Sequence, residues 1–448
     1  MNLLNTIFKG DKVIWMIFLM LCLISITEVF SASSTLTYGS QSHWGPITQH
    51  SILLMFGVFI VWFMHSIPYK WFRVLAYPLL LGSVIMLVVV MLMGAISGDR
   101  VNGAARWLTF FGIAFQPSEL AKMAVIILTA AFLSKGQTEE GASPQAFKWI
   151  FGITSFVCAL IVPENYSTGA LLFATVFLMM IIGRIQWKKI IMLGGTLLAI
   201  VAVFVVFLRF TPDPVLEQIP MGHRFTTVKH RLMNFGDEKV PAAKYDIQGD
   251  GAQVAHARIA IATSNIVGKG PGNSVERDFL SQAYSDFIFA IIIEELGLIG
   301  GMFVVFLYIC LLIRAGKIAQ KCDRTFPAFL VLGIALLLVM QATFNMCVAV
   351  GLVPVTGQPL PLISKGGTST WINCAYIGMI LSVSRYTAKL EEEREAMQEA
   401  TAQLESQPMT GDAFENEAAE AHLEVPVSEA QTAMEPTSAE ANDDSLLE

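Results

Sequence analysis

The sequence predicts an all-α polytopic membrane protein of about ten transmembrane helices, with a large extracytoplasmic loop between helices 7 and 8. Three observations carry this expectation. Of 448 residues, 54% are hydrophobic and only 15% charged, against roughly 25% charged in an average soluble domain, which excludes a soluble globular enzyme. About ten stretches approach the ~20 apolar residues that a helix needs to cross the hydrocarbon core. These runs do not alternate in polarity, so helices rather than barrel strands satisfy their backbone groups in lipid.

The first run, Val13 to Phe30, follows Lys9 and Lys12 and is long enough to span, which reads as a retained first helix rather than a cleaved signal. The spans are expected near 13–31, 50–67, 73–96, 118–134, 148–163, 167–183, 190–209, 286–313, 327–350 and 367–388. Lys and Arg of short loops mark the cytoplasmic side. Lys70, Arg73, Lys135, Lys148, Arg184, Lys188, Lys189, Arg314, Lys317, Lys321, Arg324, Arg385 and Lys389 fall together, which places both termini in the cytoplasm. Arg100, Arg106 and Lys365 break the pattern on the outer side and are places to look for function.

Residues 1–388 thus form the membrane domain, with 211–285 as its large outer loop. That loop is about 75 residues long, well past the length at which a structureless connection is common. The amphipathic stretch near Val254 to Val267 argues for order at the membrane surface. Residues 389–448 hold 17 Asp and Glu against 2 Lys and Arg, whereas residues 1–388 hold 19 acids against 27 bases. The tail is too poor in apolar residues to offset its ordering entropy. Leu390 to Leu404 extends the last helix as a stalk, and the remainder is disordered or carries a docking peptide.

Ionisable groups at the mouths of membrane helices point to a site. Pro117, Ser118 and Glu119 form a helix start, and Glu119 and Lys122 share a face at i, i+3. They are either a structural bridge or, with Arg106, a cationic contact for an anionic headgroup. Asp286 opens the eighth span, where an acid either caps the helix or faces a substrate. Glu294 and Glu295 lie too deep to act on the same bond, Glu295 by roughly 13 Å. They are paired within the bundle or form a proton relay. Gly351 to Ser369 is apolar yet dense in Gly and Pro, a segment tolerated in a membrane where it lines a cavity, and the Pro163-Glu164-Asn165-Tyr166 turn faces the same side. The six cysteines give no disulfide framework or metal spacing, the seven histidines are scattered, and no nucleic-acid signature is present. Gly268 to Ser274 resembles a phosphate loop only superficially, because no buried strand precedes it.

Together these blocks resemble the shape, elongation, division and sporulation (SEDS) family of ten-helix cell-wall polymerases. The resemblance runs from about residue 10 to 388. It rests on Asn102-Gly103 with Arg106-Trp107, Gln116 to Glu119 with Lys122, Gly268 to Ser274, Ser285 to Ala290 with Glu294 to Gly297, Gln341 with Asn345, and Pro354 to Ser369. Gly272 to Val275 and the tail are closer to the division members of the family than to the elongation members. Three segments depart from the usual pattern. Pro163-Glu164-Asn165-Tyr166 stands for Pro-Asp-Phe-Gly, Ser364-Lys365-Gly366-Gly367 for Ser-Tyr-Gly-Gly, and Tyr284 for a histidine beside Asp286.

The resemblance implies a peptidoglycan glycosyltransferase that polymerises lipid II, the undecaprenyl-diphosphate disaccharide-pentapeptide, at the outer face of the cytoplasmic (inner) membrane at the division septum. It implies a catalytic Asp286, and the substrate contacts expected beside it are Arg106, Lys122, Glu119, Lys365, Ser364 and Gln253. No cofactor follows with certainty, and Mg²⁺ or another divalent cation is an alternative source of positive charge at the diphosphate. A class B penicillin-binding transpeptidase and other division proteins are the implied partners. Two rival readings use the same bundle, a lipid-linked precursor flippase or transporter and a division scaffold. The crowding of polar residues at the outer face rather than the midplane favours the enzyme over the transporter.

Overall fold

The computed structural model describes residues 9–32, 45–96, 107–110, 113–139, 141–217, 225–226, 228–229, 252–280 and 284–406. In chain order its elements are α1 (Lys12–Ala32), α2 (Gly45–Ser66), α3 (Tyr69–Ile96), a hairpin of β1 (Leu108–Phe110) and β2 (Ile113–Phe115), α4 (Pro117–Ser134), α5 (Pro144–Ile161), α6 (Tyr166–Ile182), α7 (Trp187–Phe210), α8 (Asp213–Glu217), α9 (Ala252–Thr263), α10 (Ile288–Gln320), α11 (Thr325–Ala349) and α12 (Thr368–Ser406). Each expected span overlaps one helix, and two of these run on past the expected end, α10 to Gln320 and α12 to Ser406. Among the described residues eight helices are long and apolar enough to cross a membrane, and α6, with 17 residues, is a shorter apolar one.

The helix starts follow local chemistry. Asp11 accepts the backbone N–H groups of Val13 and Ile14 and takes an ion pair from Arg314 at 2.5 Å, so α1 is capped and tied to α10 by one carboxylate. Pro117 and Pro144 occupy the first turns of α4 and α5, where no N–H is needed. Asn165 caps α6 by accepting from Thr168 N–H at 3.2 Å.

Burial sorts the helices into layers. The apolar window of α4 is 83% buried inside the protein and that of α11 67%, whereas that of α7 is 11% buried. An apolar helix buried all round is a core helix, and one open to the outside gives its side chains to lipid. α4 packs against α3, α5, α6 and α11, and α10 against α1, α9 and α11. The chain divides into two compact units, residues 1–390 and residues 391–448, and the described part of the second is helical to Ser406.

One element departs from regular geometry. α10 is broken at Gly297 (φ 73°, ψ −175°), and the long loop completes its interrupted hydrogen bonds. The carbonyls of Glu294 and Glu295 accept from Lys269 N–H (3.0 Å) and Gly270 N–H (2.8 Å), while Leu298 and Ile299 donate to the carbonyls of Asn265 and Ile266 at 3.3 Å. A Cβ at Gly297 would stand 2.3 Å from the Ile266 oxygen, and one at Gly268 2.3 Å from the Glu295 oxygen. The two backbones can approach this closely only because both positions are glycine. The loop stays at the surface of the bundle, with Ile266 and Val267 exposed, and pairs its backbone with the break in α10 after α9 has packed on that helix.

Candidate functional site

The starts of α2, α4, α6, α10 and α12 and the α11–α12 connection surround a cavity of ≈ 930 Å³. Asp286, Glu119 and Lys365 all line it, so the structure brings together three of the expected site residues. Aromatic side chains of α2 and α12, Phe56 and Trp371, close one side.

Asp286 precedes α10 rather than capping it. The helix begins at Ile288, its cap position is Phe287, and no side chain caps it. The Asp286 Oδ1 instead accepts from Ser285 Oγ at 3.0 Å, and its Oδ2 faces the backbone of Gly357, where a Cβ would come to 3.6 Å. The helix-cap alternative is thereby corrected: the carboxylate is turned to the cavity and the α11–α12 connection.

Lys365 lines the cavity with its Nζ 5.6 Å from the centroid of the Tyr284 ring, a cation–π contact. Burial holds its ammonium below the ordinary lysine range. Two of the departures from the family pattern, Tyr284 and Lys365, are thus in contact.

Glu119 and Lys122 form an ion pair at 2.8 Å, and Lys122 Nζ also donates to Gln341 Oε1 at 3.1 Å. Lys122 is fully buried and does not line the cavity. The expected headgroup contact is therefore not direct, and its charge reaches the cavity through Glu119, whose Oε2 is buried without a hydrogen-bond partner. Ser364 is also corrected. It is buried, with its Oγ donating to the Ser285 carbonyl and accepting from Leu360 N–H, both at 2.7 Å, which leaves no contact for a substrate. Gln253 stands at the start of α9 and is not a cavity residue. Arg106 lies outside the described residues.

Glu294 and Glu295 are paired within the molecule. Glu294 takes Lys269 Nζ at 2.6 Å, Val275 N–H at 3.1 Å and the Ser274 hydroxyl. Glu295 takes Gly272 N–H at 2.9 Å, Ser274 N–H at 3.2 Å and the Ser31 hydroxyl, with Arg277 at 3.7 Å. The glycine-rich loop is an anion cradle after all, and the anions are the protein's own carboxylates. The relay alternative loses its support, because both acids are held by fixed donors at one place.

Sequence reasoning placed the segment that holds Gln358 at a cavity but did not single out Asn165, Trp107 and Trp371 as lining it. For Asn165 a signal existed, since it is the polar residue in the turn before α6.

The chain is thus a mostly helical membrane protein with a cavity lined by acids and a cation at one end of its bundle. A family model described as "Cell cycle protein", of the FtsW, RodA and SpoVE type, matches residues 11–389, and the chain belongs to that family. A relative from Halothiobacillus neapolitanus is 31% identical over 400 residues, covering 88% of this chain and 90% of its own. One from Coxiella burnetii is 28% identical, covering 83% and 96%. Both are described as "Probable peptidoglycan glycosyltransferase FtsW". Among solved structures, a chain from a peptidoglycan synthase complex that coordinates polymerization and crosslinking aligns with a TM-score of 0.64 at 22% identity, covering 84% of this chain and 98% of that one. The Thermus thermophilus rod shape determining protein RodA aligns at 0.58 and 21%, covering 84% and 97%. At these identities the structures show that the fold is shared.

Proposed function

We propose that the chain is a division-type peptidoglycan glycosyltransferase of the cytoplasmic (inner) membrane that polymerises lipid II at the outer face, with Asp286 as general base. The observation that carries the reading is the shared cavity of Asp286 and Lys365 at one end of a bundle of this family. Asp286 removes the proton from the C4 hydroxyl of the acceptor GlcNAc. The oxygen attacks C1 of the donor MurNAc with inversion, and the C1–O bond to the diphosphate breaks as the polyprenyl diphosphate leaves. A diphosphate leaves without protonation, so one carboxylate suffices where a glycosidase needs two. Lys365 and Arg106 stabilise the charge on the departing diphosphate. Glu119, neutralised on one oxygen by Lys122, keeps the floor of the cavity close to neutral.

Among the described residues no cluster of three or more His, Cys, Asp or Glu could hold a metal ion. Asp286, with the free Oε2 of Glu119, would be the protein's contribution to a Mg²⁺ held mainly by substrate phosphates, the usual manner for this ion. Such an ion would supply charge neutralisation at the diphosphate.

The partner in this reading is a class B penicillin-binding transpeptidase, with other division proteins at the septum and both termini in the cytoplasm. Labelled lipid II given to the purified chain with its transpeptidase yields a ladder of glycan strands. Translocation of lipid II across liposomes with no ladder would instead make the chain a flippase, and neither outcome in an active assembly would leave a scaffold.

A further inference from the structure

Asp286 sits in an irregular segment, so something outside it must fix its carboxylate. Three consecutive carbonyls, those of Tyr284, Ser285 and Asp286, are each held from α11 or the α11–α12 connection. Lys365 N–H donates to Tyr284 at 2.9 Å, Ser364 Oγ to Ser285 at 2.7 Å and Asn345 Nδ2 to Asp286 at 2.9 Å. Asn345 Nδ2 also donates to the Gln358 carbonyl at 2.8 Å. One amide thus joins the segment carrying Asp286 to the wall of the cavity opposite it. Asn345 is 1% exposed, and both atoms its Nδ2 meets are carbonyl oxygens. The amide orientation is therefore dictated, since the reverse would set oxygen against oxygen.

The α11–α12 connection needs such donors from outside. Its prolines at 359 and 361 have no N–H to give, and side chains of the bundle take up its carbonyls. Gln341 Nε2 donates to Pro359 at 3.0 Å and the Tyr308 hydroxyl to Pro361. Asn345 alone among these three donors also reaches the Asp286 segment.

We propose that Asn345 is a positioning residue for Asp286, setting the distance between its carboxylate and the Gly357–Lys365 wall on which the donor diphosphate rests. The inference depends on the reading of Asp286 as the base. Asn345 touches no substrate, so its loss impairs the chemical step while leaving the lipid II contacts of the cavity in place.

The test is steady-state polymerisation of lipid II by the full chain with its transpeptidase, comparing wild type, Asn345→Leu, Asn345→Gln, Ser364→Ala and Asp286→Asn. Asn345→Leu keeps the branched shape of the side chain and removes the donors. It should lower turnover of the folded enzyme by about 100-fold, the size expected when a reacting group moves by about 1 Å, with KM for lipid II near that of wild type and a melting temperature lowered by the two carbonyls left without a donor. Asn345→Gln, which restores a donor, should recover part of the loss, and Ser364→Ala, which removes one of three holds, should show a smaller loss of the same kind. Unchanged turnover in Asn345→Leu would overturn the proposal, as would a loss in Asn345→Leu and Ser364→Ala that disappears when the rates are normalised to the folded fraction. If Asn345→Leu does not fold, Ser364→Ala carries the test by the same split. An active Asp286→Asn would remove the underlying reading and the proposal with it, whereas an inactive Asp286→Asn beside an unimpaired Asn345→Leu removes the proposal alone.

Discussion

The junction of the long loop with α10 makes the sharpest quantitative prediction. Gly297 lies in a backbone region open essentially to glycine alone, where another residue costs about 1–3 kcal/mol. In Gly297→Ala the new methyl would also meet Ile266 O at 2.3 Å and Gly268 N at 2.5 Å, both backbone atoms that cannot swing aside. The chain can accept the strain or withdraw the loop. Withdrawal gives up the four backbone hydrogen bonds between Asn265–Gly270 and Glu294–Ile299, worth about 1 kcal/mol each, and uncovers two buried carboxylates. The paired state should therefore lose about 2–4 kcal/mol against the open one, or roughly 30- to 1,000-fold in their ratio. Amide hydrogen exchange of the full chain in nanodiscs reads this directly, at the N–H groups of Lys269 and Gly270. Gly195→Ala, where the methyl meets nothing within 4 Å, is the control. Exchange across 265–275 in Gly297→Ala as slow as in the control would refute the reasoning.

Other substitutions probe the cavity and its floor. Lys122→Met leaves Glu119 buried without its cation and should cost about 3–5 kcal/mol in stability, most of it recovered in the double variant with Glu119→Gln, as thermal unfolding in detergent would report. Because burial lowers the Lys365 pKa, its charge is lost at lower pH than that of a free lysine. The alkaline limb of lipid II turnover should therefore fall below the free-lysine range, move upward in Lys365→Arg and vanish in Lys365→Met, as a pH–rate profile would show. Trp371→Ala removes an aromatic cavity wall and should raise KM for lipid II more than it lowers turnover; the reverse split would deny it a binding role.

The spans were legible because lipid leaves a chain few choices. Unbroken apolar runs of sufficient length must be helices, and Pro117 marks a start that the structure reproduces. The break in α10 was hidden, because Gly297 in an apolar run looks like any membrane glycine until the partner backbone at Gly268, 29 positions earlier, is placed against it. The same long-range contact decides the roles of Glu294 and Glu295. As charges in a span they read equally as a relay or a pair, and only the loop donors distinguish the two. Asp286 and Lys365 were found as polar residues beside helix mouths. Lys122 and Ser364 looked the same in sequence, and packing turned both inward, onto Glu119 and Gln341 for one and onto the Asp286 segment for the other.

In the proposed mechanism the Asp286 carboxylate performs the chemistry at the cavity. This role is tested most directly by the single-turnover rate of lipid II polymerisation in Asp286→Asn, measured with the transpeptidase present and beside the melting temperature of the same sample. A positioned general base contributes about 10²- to 10⁴-fold. A loss of at least that size is expected with the melting temperature unchanged, since this side chain caps no helix. A rate within about tenfold of wild type would contradict this role.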